Sequence, residues 1–174
     1  THLRMPLTDY ERLRDGLAPR RFADATEVVQ RVREIKSEAE VDKIRSTCAI
    51  AARAFNRVPE IAGAGRPLDA VFRDFQALLL GEGADWVSYL AGGAGPEGYG
   101  DVISPAPARA LTQGDVLMLD TGAVREGYFC DFDRNYAIGP ASDLARRTHA
   151  ALWSATEDCL QALRPGMSAR DAHH

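Results

Sequence analysis

Asp120 and Asp131 place carboxylates where a solvated loop would not be expected to hold them. Asp120 closes a continuous apolar run, Val116 to Leu119, of the kind a buried strand needs. Asp131 sits inside a second run, Tyr128 to Tyr136, that interleaves aromatic, acidic and apolar residues, with Arg125, Glu126 and Gly127 at the reversal between the two. An unpaired carboxylate at the end of a buried run is costly, so both must be compensated by cations, backbone donors or a metal. With the turn centred on Arg125 and Glu126, the residue paired with Asp120 lies close to Asp131, and cross-strand neighbours on one face are about 5 Å apart at Cβ. That arrangement suits two carboxylates grasping one hard or borderline divalent ion, or bridging two. Spacing alone also allows Asp131 and Asp133 to pair with Arg134 or with solvent.

The elements that must position these residues are legible on both sides. Ser37 with Glu40 three residues later forms a capping box, and Val41, Ile44, Cys48, Ala51, Ala52 and Phe55 follow at helical spacing, which predicts a helix over 38–57. A second helix is expected from Pro67 through Val71, Phe72, Phe75, Leu78 and Leu79 to Gly81. A third runs from a Ser142 cap to Leu163 and ends at Pro165 and Gly166, with His149 on it as a surface or packing residue. The apolar stripes of the first two form a core that holds a sheet. Residues 85–90 alternate as a strand should and lead into Ala91-Gly92-Gly93-Ala94-Gly95-Pro96, expected as a mobile or substrate-facing loop. A phosphate-binding role for it is excluded, since the Lys-Ser/Thr of a P-loop is missing and Pro96 opposes an immediate helix. Residues 26–30 look extended.

The 174 residues, 45% of them hydrophobic, suffice for a folded domain with a real core. A formal charge of -4 without a basic stripe excludes nucleic acid as a partner. No apolar run approaches the roughly 20 residues that span a bilayer, and Thr1 to Leu7 lacks the apolar segment of a signal peptide. Cys48, Cys130 and Cys159 are odd in number and without paired spacing, which fits free thiols in a reducing cytoplasm. Alternation points Cys130 away from Asp131, as a packing residue rather than a ligand.

The segment Gly114-Asp115, Asp120, Gly122, Gly127-Tyr128, Asp131 and Arg134 resembles the creatinase/prolidase/methionine aminopeptidase family of pita-bread metallohydrolases, in its Xaa-Pro peptidase-like branch. Cys130 stands where that family usually has Ser, and Asp133 where it usually has Thr. Lys36-Ser37 with Glu40 resembles the opening of the family's first catalytic helix, and Pro165-Gly166 its turn before a later helix. The resemblance implies an α+β fold, the N-terminal half of a pita-bread domain, with an antiparallel sheet carrying helices on one face. Residues 1–36 would then be the end of an upstream domain and linker, and 37–174 the first half of the catalytic domain. It implies that Asp120 chelates one metal and Asp131 bridges two, with divalent Mn, Co, Zn or Fe as the ions and two of them in the complete protein. The family's further ligands, a His and two Glu, follow the Pro-Gly turn by many residues; His2, His149, His173 and His174 stand in no such motif, so this chain alone is expected to be inactive.

The activity implied is hydrolysis of a C–N bond in a short peptide or small molecule by a metal-activated water, in a cytoplasmic protein that can form a homodimer. Peptidases of the family carry a His eleven positions before the Gly-Asp pair, which here is Ile103, with Tyr99 and Asp101 the nearest polar residues. That departure keeps two alternatives open: a non-catalytic pita-bread module that binds a peptide or partner, and a metal-dependent lyase acting on a non-peptide substrate. Half of such a domain is expected to leave a sheet edge and an apolar face uncovered.

Overall fold

The computed structural model describes residues 5–102 and 105–173; His2, Ile103 and His174 therefore lie outside the described residues. The chain divides into two compact units, Thr1–Val41 and Asp42–His174. In the first, α1 spans Leu7–Gly16 and α2 spans Thr26–Glu34. Residues 26–30 are thus helical, a correction of the extended expectation. Asp24 accepts from both the backbone N–H (2.9 Å) and the hydroxyl of Thr26, and Arg31 pairs with Glu27 one turn back. These local bonds supply what three β-branched valines lack in helix propensity. The Ser37–Glu40 capping box is formed, with the Ser37 N–H donating to the Glu40 carboxylate at 2.7 Å and the Glu40 N–H to Ser37 Oγ at 3.4 Å.

It opens α3, Glu38–Asn56, which is followed by the short α4, Val58–Ile61, and by α5, Leu68–Gly81. Pro67 sits at the N-cap of α5, so the helix begins one residue later than expected. The sheet consists of β1 (Trp86–Pro96), β2 (Asp115–Arg125), β3 (Tyr128–Phe129) and β4 (Phe132–Ala137), all antiparallel, with β2 between β1 on one side and β3 and β4 on the other. Then α6 runs over Asp143–Ala162, its cap made by Ser142 Oγ accepting from Ala145 N at 3.1 Å, and α7 over Ala169–His173.

One sheet face carries the core. Leu90, Leu117, Leu119, Thr121, Phe132 and Tyr136 point toward α3 and α5, where Phe55, Phe72 and Phe75 are buried. The Phe55 ring lies 4.8 Å from Phe75 and 6.1 Å from Phe132, and the Tyr136 hydroxyl donates to the Phe55 carbonyl at 2.7 Å. Burial of the Tyr136 phenol pushes its pKa up to about 12. The expected glycine-rich loop is strand instead: β1 continues through Gly95 and pairs with β2 as far as Pro96. The reason is close approach, because a Cβ on Gly93 would come within 2.2 Å of the Asp101 carbonyl. Only a residue without a side chain lets the returning chain lie against the strand.

At the far end of β2, Asp115 is fully buried. Arg109 grips both its oxygens at 2.8 Å and the Thr112 N–H adds a third bond at 2.8 Å. Burial alone would push this carboxyl up, but the guanidinium and the N–H outweigh it and hold it below its ordinary value. A lowered folded pKa contributes stability above the unfolded value near 4, and that stability is lost as pH falls through the folded value. Arg109→Ala leaves burial opposed only by the Thr112 N–H. Urea denaturation should show a loss of about 2 kcal/mol at pH 7, and the gap to wild type should narrow as pH falls below about 4, where the wild type loses this contribution; coincident curves across pH would refute the assignment.

Candidate metal centre

The sheet face opposite the core holds the acidic residues. Residues directly opposite in an antiparallel pair share a face, and side chains alternate along each strand. Ala91 of β1, Asp120 of β2 and Asp133 of β4 are such partners, as are Tyr89 and Gly122. The reversal is a two-residue turn, Glu126 and Gly127, with φ of 50° and 79°. Two positive φ values are what a tight hairpin needs to match strand twist. The turn is therefore centred one residue later than the sequence indicates, and the register moves by two. This corrects the expected pairing: Asp120 faces Asp133, while Asp131 falls opposite Gly122, between the pairs Val124 with Phe129 and Thr121 with Phe132. A shift of two preserves the face, so Asp131 still lies on the side of Asp120, as its diagonal neighbour.

A third residue joins the two carboxylates. The Tyr89 hydroxyl donates to Asp131 Oδ1. Burial pushes the phenol pKa well above its ordinary value, and the Asp131 and Asp120 carboxylates raise it further. The phenol is thus a proton donor to Asp131. Sequence reading missed it, since Tyr89 is 42 residues from Asp131 and no periodicity links them; its only signal was a tyrosine beside Gly122 in register.

Asp120 Oδ1 is buried without a hydrogen-bond partner. No basic side chain among the described residues forms an ion pair with Asp120, Asp131 or Asp133. Arg134, which could have neutralised them, alternates to the core face, where its guanidinium lies 4.9 Å from the Phe132 ring and 5.9 Å from the Phe55 ring. The ion-pair alternative for Asp131 and Asp133 therefore fails. Two carboxylates with a buried free oxygen and no counter-charge fit a divalent cation, as part of a ligand set. Among the described residues no group of three or more His, Cys, Asp and Glu is placed to hold an ion. His149 lines a separate groove with Val116, Ala137 and Arg146. Cys130 is buried in the core cluster, and burial pushes its thiol up, so it packs as expected.

The fold has close parallels. Probable dipeptidase PepE of Mycobacterium bovis is 35% identical over 147 residues, covering 83% of this chain and 39% of that protein. The crystal structure of dipeptidase PepE from Mycobacterium ulcerans superimposes with a TM-score of 0.78 at 31% identity, over 97% of this chain and 45% of that one. The prolidase of Pyrococcus horikoshii OT3 gives a TM-score of 0.82 at 22% identity, over 97% and 49%, a likeness of fold. The chain thus spans under half the length of these proteins, and its helices and antiparallel sheet are those of the pita-bread peptidases. Metallopeptidase family M24 matches residues 42–174, and together with the PepE relative this shows that the chain belongs to that family.

Proposed function

We propose that this chain supplies the aspartate-bearing part of a metal-dependent peptidase that cleaves short peptides of the dipeptide class. The observation that carries this is the buried, unpartnered Asp120 Oδ1 on the same sheet face as Asp131, with no basic side chain among the described residues in an ion pair with either. The relatives add the substrate class, being named dipeptidase and, in Pyrococcus horikoshii, Xaa-Pro dipeptidase. In this reading Asp120 binds one divalent ion, Asp131 bridges two, and Mn, Co, Zn or Fe fills the site. Such ions polarise a scissile amide and lower the pKa of a water by many units. The chain's own residues do the rest locally. The sheet fixes the aspartate backbones, and Tyr89 holds the Asp131 carboxylate.

A homodimer in the cytoplasm completes the reading. Leu152, Trp153 and Leu160 of α6 are exposed apolar residues that support association, and the three free cysteines support a reducing compartment. Among the described residues no helix is long and apolar enough to cross a membrane.

In the full-length protein, Asp131→Ala should reduce bound divalent metal to background by elemental analysis and lower dipeptide hydrolysis by at least about 100-fold, as expected when a metal ligand is lost. Equal metal content in variant and wild type would defeat the assignment.

A further inference from the structure

Three separate features of the sheet converge on one hydroxyl. Between Val87 and Tyr89 the register of β1 slips by one, leaving Ser88 as the extra residue of a β-bulge. The bulge is tied on both sides, by Ser88 Oγ donating to the Gly122 carbonyl at 2.6 Å and by Thr121 Oγ1 donating to the Tyr89 carbonyl at 2.9 Å. It re-aims the Tyr89 side chain across β2. Opposite stands Gly122, where a Cβ would come within 2.5 Å of the Tyr89 ring, 2.7 Å of Ser88 Oγ and 3.0 Å of the Cys130 carbonyl. Only a bare α-carbon lets the ring cross the central strand to Asp131, which lies on the far side in register.

Asp120 and Asp131 are like charges on one face, and such neighbours repel. In the absence of a cation they would turn apart toward solvent. The phenol opposes this by donating its one proton to Asp131 from the same sheet face as Asp120.

We infer that Tyr89 is a positioning residue for the metal centre: held by the Ser88 bulge and admitted by Gly122, its hydroxyl keeps the Asp120 and Asp131 carboxylates converged so that a divalent ion meets a preformed pair. This rests on the peptidase reading above and extends it to a residue that never needs to touch the substrate. Groups that orient a ligand from behind typically contribute 10–100-fold in metal affinity. Tyr89→Phe keeps the ring and its packing but removes the proton. Gly122→Ala keeps the hydroxyl but blocks its path.

Titration of the metal-free full-length protein with manganese tests this, read both as affinity and as the near-ultraviolet tyrosine difference spectrum. Wild type should bind manganese and show a tyrosine perturbation on binding. Tyr89→Phe should bind about 10–100-fold more weakly and lose that perturbation, and Gly122→Ala should weaken binding similarly while retaining a folded circular dichroism spectrum. If Tyr89→Phe binds as tightly as wild type, the role of Tyr89 is overturned while the metal site stands. If wild type itself binds no manganese, cobalt, zinc or iron, the peptidase reading falls, and the positioning role falls with it.

Discussion

A central strand that must be dry on one face and charged on the other organises this structure. β2 pairs along both its edges, and strict alternation sends Leu117, Leu119 and Thr121 into the core while Asp120 and Gly122 face away from it. Each large apolar side chain buried beneath it contributes about 1.5–3 kcal/mol. Phe55, Phe72, Phe75, Leu117 and Leu119 together outweigh the cost of one partly desolvated carboxylate, estimated at about 1–3 kcal/mol for an unmet acceptor, more when charged. The sheet can therefore carry Asp120 Oδ1 without a partner. A slip of one residue would exchange the faces and bury every acid, which is why the pairing is strongly specified.

The neighbours of the acidic face share one property: they leave its charge uncompensated. Arg134 is adjacent in sequence to Asp133, yet the pleat turns it to the opposite side, onto the Phe55 and Phe132 rings. Arg109 is spent on Asp115, where two bonds at 2.8 Å anchor the start of β2. Tyr89 contributes a hydrogen bond and no charge. Structural acids in this chain, such as Asp115 and Glu82, are each matched by arginine, whereas Asp120, Asp131 and Asp133 are not. Local cost tolerated inside an otherwise consistent fold is where function is expected to lie.

Membership of metallopeptidase family M24 gives that unbalanced face a chemical meaning, and the coverage of its relatives shapes what can be built on it. The described residues present two aspartates and a phenol, with β4 along the sheet's edge and the apolar residues of α6 in solvent.

Local chemistry was legible where it is self-contained. The capping boxes and caps at Ser37 and Ser142, the apolar stripes of α3 and α5, the hairpin and its acids could all be read from neighbours within one turn of chain. Misreadings arose where a contact overruled the local signal. Residues 26–30 are helical with Asp24 bonded to the first residue of the helix, and Ala91 to Pro96 is strand, with a returning segment packed on Gly93. What the sequence by itself determined is that Asp120 and Asp131 would occupy one face of one hairpin, since a period of two does not depend on where the turn is centred by an even shift. Tertiary structure decided which residues stand opposite, through two positive-φ residues at the turn, and decided that Tyr89 would join them, because a bulge, a missing Cβ and a residue 42 positions away meet only once three strands are side by side.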